Sequence, residues 1–228
     1  LLDPAYTERY YRRHHFHEVR LSAHGICIEL HWALTLPGSV YDHDLDALAR
    51  DAGSHPLGRA QVRTAAAADQ ILHGVLQSIA GGFGDLRRIL DLHLLHAGLQ
   101  DDALPALIAR ARRANAAAGL WLHYHVRQEI LGAPVPGPIT RHCRPSERTV
   151  RTMLSLDPVA LCLGARPQPA EVHTRLLHWL CTPRPLRVRE FGRYLWPGEA
   201  DVLEGRRAAS RGQAPATWAR LWVERLAN

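Results

Sequence analysis

The spacing of apolar side chains changes period once along this chain, near residue 35. Residues 26–34 (ICIELHWAL) are β-branched, aromatic and aliphatic, and are bounded by Gly25 and by Pro37-Gly38. A short apolar run with such punctuation predicts a strand. A weaker alternation over residues 19–21, joined by the turn-like Ser22-Ala23-His24-Gly25, predicts a partner strand and hence a hairpin. Beyond it the spacing is helical. Asp44 or Asp46 can cap a short helix that stops near Gly53, and residues 64–79 repeat apolar positions at helical intervals. Asp85 is placed to cap a helix over 86–98, with Leu86, Ile89, Leu90, Leu92, Leu94 and Leu95 as its apolar face. Helices are predicted over 103–119 and 120–131, the first with acids at its start and Arg110, Arg112 and Arg113 near its end, as the helix dipole favours.

Residues 132–146 contain four prolines and two glycines and predict a linker or crossover. Helices are expected again over 147–156, 170–181 and 216–226, and the basic, aromatic stretch 184–197 forms a further short one. The predicted class is α+β, mostly α: a short β-hairpin followed by a bundle of about six to eight helices joined by short connections. The expected divisions are 1–53 (strand-containing), 54–132 (helical bundle), 133–146 (linker) and 147–228 (basic helical segment).

The chain is 228 residues long with 46% hydrophobic and 22% charged residues, which excludes disordered and fibrous classes. No apolar run approaches the ~20 residues of a membrane span, and the polar start is no signal peptide. The cysteines Cys27, Cys143, Cys162 and Cys181 have no CxxC spacing, so they read as reduced thiols of a cytoplasmic protein. There is no initiator Met, and the expectation is that this is part of a longer product. All 28 basic residues are Arg. Residues 1–102 set 9 of them against 13 acids, and residues 103–228 set 19 against 9. An Arg-rich rear half suits nucleic acid, a nucleotide, or an acidic protein or peptide.

In the strand over 26–34, Cys27, Glu29 and His31 share one face, and Ile28, Leu30 and Trp32 share the other. Glu29 and His31 then stand roughly 6–7 Å apart. A carboxylate amid so apolar a run binds a metal, pairs with a cation, or faces a cleft, because burial alone is costly. The cluster His14, His15 and His17 offers imidazoles for a transition metal or simply for solvent. Asp42, Asp44 and Asp46 alternate but lead into a helix, which suits capping, with metal binding as the lesser alternative. Asp91 lies three and four residues from Arg88 and Arg87, a spacing for an intrahelical ion pair or a substrate contact. His123 and His125 face different ways on their helix. Arg184, Arg187, Arg189 and Arg193, interleaved with Phe191, Tyr194 and Trp196, could clasp phosphates and stack bases or pack as a basic amphipathic segment.

The HHxH-like stretch (His14, His15, His17), Gly25, and Ile28-Glu29-Leu30-His31-Trp32 together resemble the uncharacterised nucleotidyltransferase family of the polymerase-β-like superfamily. Leu86-Arg87-Arg88-Ile89-Leu90-Asp91-Leu92 is similar to that family's L-R-x-[IL]-x-D helix, and Arg193-Tyr194-Leu195-Trp196-Pro197 to its basic C-terminal segment. The resemblance implies transfer of a nucleotide from an NTP to a hydroxyl-like acceptor, with Mg²⁺ held by a D-x-D pair and a third carboxylate. Glu29 corresponds to that third carboxylate and metal ligand, and His31 would orient it or touch phosphate. Glu29 and His31 are thus the candidate catalytic residues, and Arg87, Arg88 and Asp91 the candidate nucleotide contacts. The Gly-Ser loop and D-x-D strand that the resemblance calls for would lie upstream of His14. By itself this chain is therefore expected to be catalytically incomplete: a substrate-recognition portion or an inactive relative. The alternative is a non-enzymatic, Arg-rich binding module for nucleic acid or an acidic partner.

Overall fold

In the computed structural model, which describes residues 17–23, 26–31, 33–35, 39–99, 103–164 and 170–195, the first apolar run is a strand as its alternation requires. Strand β1 (His17–Ala23) pairs antiparallel with β2 (Ile26–His31). Arg20 stands opposite Glu29 and Leu21 opposite Ile28, with an irregularity between His17 and Arg20. The strand ends at His31, short of the expected Leu34.

Helix α1 (Leu45–Asp51) begins at Asp44, whose carboxylate accepts from the Ala47 amide at 2.8 Å. This settles which of the two acids is the cap. A second hairpin, absent from the sequence reading, follows as β3 (Gly53–Leu57) and β4 (Ala60–Thr64), turning at Gly58 with φ +60. Its residues are almost all exposed, so it has no apolar alternation to betray it, and Pro56 is tolerated because a two-stranded ribbon is all edge.

The core is built on two helices. Helix α2 (Ala67–Ala80) turns Ile71, Leu72, Val75, Leu76 and Ile79 inward. It packs against α3 (Leu86–Ala97), α4 (Ala103–Arg113) and α5 (Ala117–Leu131). Helix α5 is buried on nearly every side, from Gly119 through Tyr124 and again at Val126 and Arg127, which fits a helix with little polar face. The two come close because Gly119 lacks a side chain: a Cβ there would overlap Ile79 Cδ1. Asp85 caps α3 as predicted, accepting from the Arg87 amide at 3.1 Å.

The break between α4 and α5 falls earlier than expected, at Asn115. Its φ of 59° is left-handed, a conformation that Asn tolerates, and its side-chain amide donates to the Val40 carbonyl at 2.7 Å. The proline-rich stretch is not irregular throughout. It contains α6 (Gly137–Cys143), which follows Pro136, has Pro138 in its first turn and buries Ile139 and Cys143 where it packs against α5 and α4. Helices α7 (Glu147–Ser155), α8 (Pro158–Cys162) and α9 (Ala170–Cys181) complete the first unit, residues 1–182. Tyr41, ahead of α1, bonds the His178 carbonyl and the Thr182 hydroxyl, each at 3.2 Å, and so ties the end of α9 to the front of the chain. The second unit, residues 183–228, contains α10 (Arg184–Leu195). The architecture is α+β and mostly α, as the pattern predicted. The helix expected over 216–226 lies outside the described residues, and no helix among those described is long and apolar enough to cross a membrane.

Candidate functional site

Helix periodicity puts Asp69, Gln70, His73, Gly74 and Gln77 along one face of α2, and Arg88, Asp91, Leu92 and Leu95 along one face of α3. With His31 at the end of β2 and Leu34, Leu48 and Ala65 from the connecting segments, these residues line a cleft of about 690 Å³. That volume is ordinary for a small-molecule site. The cleft wall at Gly74 has no room for a side chain, since a Cβ would stand 2.6 Å from Leu92 Cδ2. The floor is aliphatic and the rim carries one guanidinium, two imidazoles, two carboxylates and two amides.

Asp69 also lines a smaller hollow of about 310 Å³ with Asp42, His43, Asp44, Arg110 and Arg113. Its carboxylate is 3% exposed and is bound by Arg110 Nη1, while Arg110 Nη2 holds Asp51. A carboxylate so buried needs its cation, so Asp69 is a wall between the hollows and not a free ligand in either. His43 is buried beside it, with Nε2 lacking a partner. Burial lowers its pKa, against the pull of Asp69. His73 is shifted down for the same first reason, burial, reinforced by His43, His31 and Arg88, so its ring is neutral near pH 7. Its Nδ1 is buried without a hydrogen-bond partner.

Of the predicted residues, His31, Arg88 and Asp91 come together in the cleft. Arg87 does not: its side chain is 89% exposed and turns back to Asp85 at 3.5 Å. The intrahelical pair foreseen for Asp91 does not form either. Arg87 and Arg88 both reach for the capping Asp85, Arg88 at a loose 4.0 Å, and Asp91 makes no ion pair among the described residues. The cap wins because Asp85 already lies at the helix start, pointing along the same turn as both arginines. The backbone of Glu29 is in β2, but its side chain lies outside the described residues, as do His14, His15 and the side chains of His17 and Arg193.

His123 and His125 do diverge. His123 is buried, and burial lowers its pKa to about 3, while His125 stacks on Trp121 with centroids 5.3 Å apart. Cys143, Cys162 and Cys181 are buried thiols. Among the described residues no three His, Cys, Asp or Glu side chains gather as a metal site. The carboxylates that line the cleft therefore supply no ready-made cage for Mg²⁺.

His73 and Asp69 are the site residues that the sequence reading missed. The signal was there: Asp69 interrupts the buried stripe formed by Ala68, Ile71, Leu72 and Val75, and His73 follows one turn later. An acid inside a buried stripe asks for a partner cation. No curated protein and no solved structure matches this chain. A family match does exist: residues 1–132 match the family described as uncharacterised nucleotidyltransferase. That span runs from before the hairpin to Gly132, the left-handed cap that ends α5, and takes in every residue lining the cleft. This chain belongs to the uncharacterised nucleotidyltransferase family.

Proposed function

We propose that this protein serves nucleotidyl transfer, passing the nucleotide of an NTP to an acceptor that binds in the cleft between β2, α2 and α3. One observation carries the reading: His31, from the IELHW strand, and Arg88 and Asp91, from the L-R-x-[IL]-x-D helix, line the same cleft. Two motifs nearly sixty residues apart, each tied to the family, converge on one small-molecule-sized hollow.

In this reading His31 and Arg88 contact the phosphate-bearing reactant, and Asp91 accepts from a hydroxyl or amine of the other. Glu29, two residues before His31 in the same strand, would hold Mg²⁺. The metal would neutralise charge on the triphosphate. The described carboxylates do not complete its coordination.

The test is thermal unfolding of the chain with each NTP, with and without MgCl₂, in wild type and Glu29→Gln. A ligand at about a hundred times its Kd stabilises by about 2.7 kcal/mol, a readily seen shift. The expectation is stabilisation by an NTP that requires Mg²⁺ and is lost in Glu29→Gln. No stabilisation by any NTP, together with nucleic-acid binding that collapses steeply between low and moderate salt, would replace this reading with the Arg-rich binding module.

A further inference from the structure

Arg88, on the cleft wall, is only loosely held among the described residues. Arg88 is only 31% exposed, and its nearest carboxylate is Asp85 at 4.0 Å, the outer limit of an ion pair. Among the described residues it makes no hydrogen bond. His73, from α2, lines the same cleft, and its buried Nδ1 has no hydrogen-bond partner among the described residues. A guanidinium with only that loose contact, on the wall of a small-molecule-sized hollow that two imidazoles also line, points to a ligand that supplies an acceptor. For a planar five-donor guanidinium that partner is an oxyanion, gripped in bidentate fashion.

The negative charges of the cleft do not block this. Asp69 is neutralised by Arg110. Asp91, one turn beyond Arg88, is exposed and makes no ion pair among the described residues, so it weakens anion binding nearby unless the ligand also brings a donor. We propose that Arg88 and His73, with His31 at the rim, form an oxyanion subsite that takes a phosphate group, and that Asp91 restricts it to phosphates carrying a hydroxyl or amine alongside. The proposal rests on the nucleotidyl-transfer reading only for the source of the phosphate, which is either the NTP or a phosphorylated acceptor.

The experiment is titration with inorganic phosphate and pyrophosphate, without metal or nucleotide, followed by NMR or calorimetry. Arg88→Gln should weaken pyrophosphate about tenfold or more, the loss expected for a charge-assisted contact. Arg88→Lys should retain part of the affinity, His73→Gln should weaken it less than Arg88→Gln, and Asp91→Asn should strengthen it. The opposite signs at neighbouring positions of one helix separate a site from a folding defect, and thermal unfolding of each variant checks the fold directly. Affinity unchanged in Arg88→Gln, or weakened in Asp91→Asn, overturns the subsite.

A competition arm identifies the source. Phosphate displaced by Mg–NTP assigns the subsite to the triphosphate, and phosphate retained alongside it assigns it to a phosphorylated acceptor. Arg88-dependent phosphate binding without any NTP effect keeps the subsite and removes the transferase reading. An NTP effect lost in Glu29→Gln, with phosphate binding indifferent to Arg88, does the reverse.

Discussion

The Arg110 guanidinium, from α4, binds the buried Asp69 carboxylate of α2 and the exposed Asp51 carboxylate at the end of α1. Three helices meet at that one side chain, and Asp69, which it holds, lines both hollows. Removing the cation leaves a carboxylate that is 3% exposed with no compensation. Arg110→Ala should therefore cost about 3 kcal/mol in chemical denaturation, and Asp69→Asn less, because it removes the charge that needs a partner. The double variant Asp69→Leu, Arg110→Leu should recover most of the loss, as buried pairs replaced by apolar groups often do. A loss in the double equal to the sum of the singles would mean that the pair does not couple as described.

Close approach of α2 and α5 depends on Gly119. Because a Cβ at that position overlaps Ile79 Cδ1 in a fully buried contact, Gly119→Ala should destabilise by about 1–3 kcal/mol despite the better helix propensity of Ala. Trimming the opposing side chain in Gly119→Ala, Ile79→Val should return part of it. Urea midpoints of the three variants decide the matter; a stabilised Gly119→Ala would show that the helices are not in contact there.

His123 makes stability depend on pH in a defined direction. Burial holds its folded pKa at about 3, far under the ordinary 6.5, so the unfolded chain takes up a proton that the folded chain refuses. Stability is therefore fully present above about pH 6.5 and declines as pH falls toward 3, by on the order of 5 kcal/mol at the limit. His43, His73 and His96 are also lowered chiefly by burial and add with the same sign. His123→Gln should flatten the acid limb of a stability–pH profile without abolishing it. An unchanged acid limb would mean that His123 is protonated in the folded state.

Much of this fold was legible because the residues that specify it act locally. Asp44 and Asp85 are caps by residue type and position, and the apolar spacing of α2 and α3 needed no tertiary information. The β3–β4 hairpin was not legible, since an exposed ribbon buries nothing and leaves no alternation in the sequence. Nor was α6, because four prolines signal interruption while the buried Ile139 and Cys143 that hold the helix find their partners only in three dimensions. The site divides the same way. His31, Arg88 and Asp91 were found through motifs, whereas His73 and the Asp69–Arg110 pair depend on contacts between α2, α3 and α4. The spacing that suggested an Asp91–Arg87 pair was correct as geometry, but the capping carboxylate of Asp85 competes for the same guanidinium and is better placed.

Arg87 and Arg88 are neighbours of identical chemistry, and the fold gives them opposite weight. Arg87 projects into solvent at 89% exposure, and its ion pair with Asp85 is of the screened surface kind that contributes little. Arg88 is two-thirds buried on the wall of the cleft. Arg87→Gln should leave stability within about 0.5 kcal/mol of wild type and change pyrophosphate affinity less than about twofold. Arg88→Gln, one residue on, should lose most of that affinity while unfolding at nearly the same temperature, since its contact with Asp85 is loose. Equal losses in the two variants would indicate a diffuse electrostatic attraction to the helix start, and that outcome would remove the reason for assigning the cleft to Arg88.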